Sequence, residues 1–369
     1  MLLLDCEYNG ESKMEILVLG GTGAMGEPIV EILANRNNHV IVTTRQDKKS
    51  NNKNIEFIQG NAHDLNFVHK VLNRNYDAIV DFMIYKPDEF SAFSKLYMEN
   101  TKQYVFLSSS RVYANSPENR ITESSSRLLD VTNDEQYLAT NEYALAKARE
   151  ENMLMESEFD NFTIIRPYIT YNDNRLQLGV FEKEVWLRRA LAGKKIVFSR
   201  NIASKYTTLT YGYDVALRIA DLIGNPKAKR QTYHITTEEY IKWEDVLSIY
   251  VDTLEKELGK RPEVFMTEQC DSIIEKNNKY QIHYDREYNR KFSNDKIQSH
   301  TMEKKRFMPV KEGLQMCLQN FLDGERNFAT PVNWEHEGVL DKISGDKTSL
   351  KQITGFKNKV KYVLYRYIM

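Results

Sequence analysis

"MEILVLGGTGAMGEPIVEILANRNNHVIVTTRQ", residues 14–46, decides the fold. "EILVLG" is a short apolar run with β-branched residues, and it reads as a buried strand. Glycines punctuate the turn that follows. "EPIVEILANR" carries helical spacing, with Ile29, Val30, Ile32 and Leu33 on the inner side. "HVIVTTR" is a second buried strand. Strand, helix and strand at this spacing make a βαβ unit, and hence a parallel sheet.

The alternation continues downstream. "NIEFIQG" (54–60), "YDAIVDFM" (76–83), "QYVFLSSS" (103–110) and "NFTIIRP" (161–167) read as further strands, with helices such as "LNFVHKVLNR" and "EFSAFSKLYMEN" between them. The expected fold is α/β: a Rossmann-type doubly wound parallel sheet mainly over 14–167, with later segments near 205–236 returning to it. A smaller substrate-binding region is expected over 168–328, and a C-terminal extension over 329–369. "FEKEVWLRRALAGKK" reads as a helix, "EVFMTEQ" as a strand and "VKEGLQMCLQNFLDGE" as a late helix. Residues 271–305 are polar and tyrosine-rich, which fits a loop-rich lid.

Composition narrows the function classes. At 369 residues, with 41% hydrophobic and 28% charged, the chain has the make-up of an ordinary folded protein. A net charge of -1 points to neither nucleic acid nor an anionic membrane. Cys6, Cys270 and Cys317 are odd in number and far apart, so neither a disulfide framework nor a metal site is expected. No apolar run approaches ~18 residues, so no transmembrane segment is expected. "MLLLDCEYNGESK" lacks the basic start and apolar length of a signal peptide, so residues 1–13 read as a flexible leader or as preceding a start at Met14, and the expected location is cytoplasmic. The tail "GFKNKVKYVLYRYIM" interleaves Lys and Arg with Tyr, Phe and Leu. Such an end can touch a membrane surface, pack on the body or pack on a partner subunit.

"GGTGAMG" sets Gly20, Gly23 and Gly26 in a G-x-x-G-x-x-G pattern after a strand and before a helix, the context that a dinucleotide fingerprint requires. Gly20 allows the tight turn, Gly23 close approach to a pyrophosphate, and Gly26 close helix–strand packing. The loop as a whole, with Thr22, Ala24 and Met25, is expected to hold the cofactor at the positive end of the helix. Arg45 stands at the end of the second strand, where an arginine can meet the 2′-phosphate of NADP, although Asp47 lies just beyond. NAD and NADP both stay open.

"YVFLSSSRVY" (104–113) places serines at the carboxyl end of a central strand, the edge where open parallel sheets bind ligands. Tyr143 and Lys147 follow in "TNEYALAKAREE", four apart and so on one helix face. Tyrosine is a poor base near its unperturbed pKa of ~10, but a neighbouring ammonium stabilises a phenolate. A serine hydroxyl can hold the substrate oxygen in line. These three make a coherent set for hydride-transfer chemistry on a nicotinamide.

From about Met14 to Phe321 the chain resembles the extended short-chain dehydrogenase/reductases, the NAD-dependent epimerase/dehydratase group. "GGTGAMG", "YVFLSSSRVY", "YALAK", "TIIRPYITY" and "LTYGYDVALRIADLI" fall in that family's order. The resemblance implies Ser109, Tyr143 and Lys147 as the catalytic set, with Ser108 beside it. It implies Asp64, with Leu65 next to it, at the adenine, and Phe82 and Met83 as backbone passing the cofactor. Pro167 and Tyr168 would border the nicotinamide, and Asp214 would be structural. Ser110 and Arg111 stand where family dehydratases carry an Asp-Glu pair, so dehydration of that type is not expected. Ser109, Ser110, Arg111, Tyr168, Arg175, Lys205 and Arg286 are the candidates for contact with a sugar or nucleotide-sugar, the arginines and lysine as anion binders.

"DREYNRKFSNDKI" followed by "FMPVKEGL" looks like the atypical branch that includes chloroplast RNA-binding relatives, which tend to lack the Tyr/Lys pair kept here. The expected function is an NAD(P)-dependent epimerase or reductase, as a homodimer without nucleic acid. The alternative is a non-catalytic dinucleotide-sensing or RNA-binding protein on the same fold. The near-neutral charge argues against RNA.

Overall fold

The computed structural model describes residues 13–21, 23, 25–116, 120–275, 278–301 and 306–368. Thr22, Ala24, Cys6 and all of the expected leader except Lys13 lie outside the described residues.

The opening stretch folds as β1 (Glu15–Leu19), α1 (Gly26–Asn35) and β2 (His39–Thr44). Next come β3 (Ile55–Gln59), α2 (Leu65–Val71), β4 (Ala78–Asp81), α3 (Pro87–Glu99) and β5 (Tyr104–Leu107). Then follow α4 (Tyr143–Met155), β6 (Phe162–Pro167), α5 (Gly212–Leu222) and β7 (Gln231–Ile235). The seven strands form one sheet in the order β7-β6-β5-β4-β1-β2-β3, and every pairing is parallel. This is a Rossmann-like α/β fold. The strand order reverses between β1 and β4, which opens a crevice at the carboxyl ends of those strands.

The pleat divides β1 between two cores. Ile16 and Val18 join Ile29, Leu33, Val215 and Ile219 on the face covered by α1 and α5. Leu17 and Leu19 join Val68, Phe90, Tyr97 and Leu154 on the other face. Strands buried on both sides explain the unbroken apolar runs of the sequence. Each buried Ile or Leu contributes roughly 1.5–3 kcal/mol, so both faces of the sheet are firmly anchored.

A third core sits beyond β6. It gathers Tyr168, Trp186, Trp243, Leu254, Phe292 and Leu318. Its helices include α6 (Trp243–Leu258) and α7 (Val310–Asp323). Strand Val264–Thr267 forms where "EVFMTEQ" predicts one, and it pairs in parallel with Ile196–Ser199. The helix expected across 181–195 is confined to Trp186–Leu191. Gly193, at φ +71°, ends it and turns the chain into the next strand.

The segment after residue 329 folds as α8 (Trp334–Ser344) and α9 (Phe356–Val363). It is tied to the body by charge. Arg189 Nη1 meets Glu337 and Asp341 at 2.8 Å each, and Lys194 Nζ meets Asp341 Oδ2 at 2.8 Å. Arg189 and Asp341 are almost fully buried, so each requires the other.

Candidate functional site

Most of the residues singled out in the sequence meet in one cleft of about 780 Å³ at the carboxyl edge of the sheet. Its walls include Gly20, Gly23, Met25, Gly26, Phe82, Met83, Ser108, Ser109, Arg111, Tyr143, Lys147, Pro167, Tyr168, Arg175 and Arg286.

The glycine loop forms the floor. Gly20 has φ +68°, the left-handed region that favours glycine. A Cβ on Gly26 would lie 2.6 Å from the Gly21 carbonyl carbon, so only glycine lets the start of α1 sit this close to the strand end. A Cβ on Gly23 would meet no described residue within 4 Å, which leaves the loop backbone room for close approach at this point. That geometry suits a pyrophosphate held by the backbone at a helix start. The neighbouring wall is fixed by Asp81, a fully buried carboxylate at the end of β4. It accepts from the Met83 N–H at 2.9 Å and the Tyr104 hydroxyl at 2.8 Å. Burial pushes its carboxyl up to about 6, against these hydrogen bonds.

Tyr143 is the first residue of α4, capped by Glu142, whose carboxylate accepts from the Ala144 N–H at 2.8 Å. The same carboxylate receives Arg111 Nη2 at 2.5 Å and the Tyr137 hydroxyl at 3.1 Å. Arg111 is thereby held 5.4 Å from the Tyr143 ring centre. Glu142 was not predicted; glutamate is a poor N-cap signal, since Ser, Thr, Asp and Asn dominate that position.

Lys147 is 1% exposed. Its ammonium lies 4.5 Å from the Phe106 ring centre and 2.9 Å from Glu150 Oε2. Beyond this ion pair it makes no well-directed hydrogen bond to any described residue. Glu150 was also missed, because "AREEN" reads as a solvated helical face. It is fully buried, and burial pushes its carboxyl up to about 7 while Lys147 opposes the shift. A folded-state pKa raised above the unfolded value gives stability that is present at low pH and lost as pH rises through the folded value. The Glu150 contribution therefore fades between about pH 4.5 and about 7. Glu150→Gln leaves the buried Lys147 without its partner and so lowers stability, but it is expected to remove this slope, so that the difference from the parent narrows by up to about 3 kcal/mol as pH rises across that window. Urea midpoints at acidic and mildly alkaline pH check it; parallel curves would refute it.

Ser109 lines the cleft, and its Oγ accepts from the Arg111 N–H at 3.2 Å. Ser108 also reaches the wall, but its hydroxyl donates to Glu151 at 2.5 Å. Glu151 in turn is gripped by Arg166 at 2.6 Å and Arg127 at 3.2 Å. Ser110 corrects its expectation. It is fully buried and donates to the Arg166 carbonyl at 2.7 Å, because the chain coils into a tight turn at Ser110–Val112 and carries the side chain inward.

Lys205 is likewise outside the cleft walls; its backbone bridges Ile202 and Trp243. Asp64 caps α2, accepting from the Asn66 N–H at 2.9 Å, with Leu65 exposed beside it. Arg45 is exposed just past β2. These three lie beyond the cleft walls. Asp214 accepts from the Met308 N–H at 2.6 Å, tying α5 to the segment before α7.

The opposite wall comes from the expected lid. Asp285, 1% exposed, accepts from Arg290 Nε at 2.8 Å and from the Tyr168 hydroxyl at 3.2 Å, and it is also paired with Arg286. Arg286 donates to the Gly179 carbonyl at 2.9 Å, and burial holds its guanidinium down at about 10. Arg286 is thus a buried cation at the cleft, restrained on several sides. Asp285 and Arg290 carried no sequence signal; their pairing exists only in the folded chain. No cluster among the described residues has the make-up of a metal site.

Residues 20–188 match the model of the NAD(P)H-binding family. A curated relative, the chloroplast stem-loop binding protein of 41 kDa b of Arabidopsis thaliana, is 23% identical over 252 residues, 64% of this chain and 62% of that protein. The chain thus spans just under two thirds of that relative's length. Two solved structures share the fold. One is the enzyme WbmH of Bordetella bronchiseptica in complex with NAD+, with a TM-score of 0.63, 16% identity, and coverage of 85% of this chain and 99% of that one. The other is the UDP-glucose 4-epimerase of Thermus thermophilus in complex with NAD, with a TM-score of 0.60, 18% identity, and coverage of 84% and 99%.

Proposed function

From an NAD(P)H-binding domain set in a fold shared with NAD-dependent epimerases, we propose an NAD(P)-dependent epimerase or reductase acting on a sugar or nucleotide-sugar. The observation that carries this reading is the meeting of Ser109, Tyr143 and Lys147 with Gly20, Gly23 and Gly26 in one cleft. A bound nicotinamide would supply the hydride acceptor and donor. Tyr143 takes the proton of the reacting substrate hydroxyl as its carbon is oxidised, and returns it on reduction. Lys147 holds ribose hydroxyls and keeps positive charge near the phenol. Ser109 orients the substrate oxygen. Arg111, Arg175 and Arg286, each ion-paired with a carboxylate in this structure, are the guanidinium groups on the wall that an anionic substrate such as a nucleoside diphosphate would meet.

A second reading, binding of stem-loop RNA without catalysis, is favoured by the curated relative's name. Mass spectrometry of any cofactor released from the purified protein, together with turnover assays on a panel of nucleotide-sugars with NAD+ and NADP+, separates the two. Retained nicotinamide cofactor and turnover of one sugar class are expected. No turnover combined with salt-sensitive stem-loop binding would transfer the assignment to the second reading.

A further inference from the structure

We propose that residues 347–368 form a peripheral attachment device that lays a basic, apolar-striped helix on an anionic lipid surface. The inference does not depend on the cleft chemistry. It begins with charge. The segment holds Lys347, Lys351, Lys357, Lys359, Lys361 and Arg366 and no Asp or Glu. The whole chain has 51 basic and 52 acidic residues, so the near-neutral total conceals a segment at +6 joined to a body at −7.

The fold then gives this segment two faces. The inner face of α9 is fastened to α8. Tyr362 is 1% exposed, donates to Asp341 Oδ2 at 2.7 Å and accepts from the Thr348 N–H at 2.8 Å. Its ring stands edge-on to Trp334 at 6.2 Å. Lys361 reaches back to Glu335 at 2.5 Å, and Arg366 donates to the Asp346 carbonyl at 3.0 Å.

The outer face is apolar. Phe356 is 83% exposed, Val360 49%, Leu364 36%, Tyr367 57% and Ile368 72%. Five of the fourteen large apolar residues exposed among the described residues thus fall within thirteen consecutive positions. A spacing of four aligns Phe356 and Val360 along one side of α9, and Leu364, Tyr367 and Ile368 lie on the wider helical turn Leu364–Ile368 that continues it. Lys357 and Lys359 follow the first of them in sequence.

An aliphatic and aromatic stripe flanked by lysines is the arrangement of a helix that lies in a membrane interface. The basic flank selects an anionic surface, while the acidic body is repelled from it within a Debye length of ~8–10 Å. No helix among the described residues is long and apolar enough to cross a membrane, so the contact is peripheral. RNA would engage the lysines but offers nothing to Val360, Leu364 and Ile368.

The test is co-sedimentation of the full chain with vesicles of phosphatidylcholine alone or mixed with phosphatidylglycerol. Pelleting only with the anionic vesicles, and release by high salt, are expected. Lys357→Gln with Lys359→Gln is expected to weaken binding by roughly fivefold per lysine. Phe356→Asp with Ile368→Asp is expected to abolish it at an unchanged melting temperature, since both side chains are largely exposed. Absence of pelleting would overturn the proposal. So would pelleting indifferent to the apolar variants, which would mean charge adsorption alone. Loss of self-association in the apolar variants without any vesicle binding would assign the stripe to a second copy. Stem-loop RNA binding without vesicle binding, abolished by the lysine variants, would assign the segment to RNA.

Discussion

Tyr143→Phe is expected to lower turnover about 10³-fold while cofactor stays bound, the loss that removal of a general acid–base group produces. The side chain is half-buried at the start of α4, so phenylalanine keeps the ring and its contact with Arg111. What disappears is the hydroxyl alone. The cleft wall made by Gly20, Gly23, Gly26, Met83 and Lys147 is untouched. The measurement pairs steady-state turnover on the identified sugar with mass spectrometry of retained nucleotide. Turnover equal to that of the parent would remove Tyr143 from the mechanism. Loss of both turnover and nucleotide would make the residue structural rather than catalytic.

The largest expected effect on stability is at Asp285. Arg286 and Arg290 are both almost fully buried and both lean on this one carboxylate, with Arg111 Nε at 3.9 Å. Asp285→Asn nearly preserves volume but deletes the charge and turns an acceptor into a donor facing guanidinium groups. Removing one partner of a buried ion pair costs about 3–5 kcal/mol, because the remaining charge is left uncompensated. Burial already holds Arg286 down at about 10 with the carboxylate in place. Urea denaturation should show that loss as a lower midpoint with an unchanged slope. Because Tyr168 and Arg286 line the cleft, the substrate KM should rise as well. A midpoint within experimental error of the parent would show that the cluster tolerates a neutral side chain.

Legibility divided along the range of the interactions involved. The β1–α1–β2 unit was readable because its signals are local: β-branched runs, glycines at turn positions and helical spacing. Tyr143 and Lys147 were readable because four residues along a helix is a fixed geometry. Glu150 was not, since a glutamate in the charged run "KAREE" normally faces water; only the packing of α4 onto the body turns it inward. Ser110 was misplaced for the same reason. The run of three serines is visible, but which hydroxyl faces the cleft is set by the tight turn that follows β5. Asp285, Arg286 and Arg290 lie in a segment poor in apolar anchors, which reads as a lid. Their mutual pairing depends on contacts with Tyr168 and Gly179, more than a hundred residues earlier.

The position of β7 has a consequence for fragments. The NAD(P)H-binding match ends at residue 188, yet β7 at Gln231–Ile235 closes the sheet beside β6, and α5 covers α1 from Gly212 onward. A piece cut at the boundary of the match would leave β6 as a raw edge, with unpaired backbone groups facing water, and would uncover Ile29 and Leu33. Such an edge invites strand-to-strand association, so the excised piece should aggregate rather than stand alone. The nucleotide-holding half therefore completes itself with chain made well after it, and closure of its sheet waits on a long-range contact that slows folding.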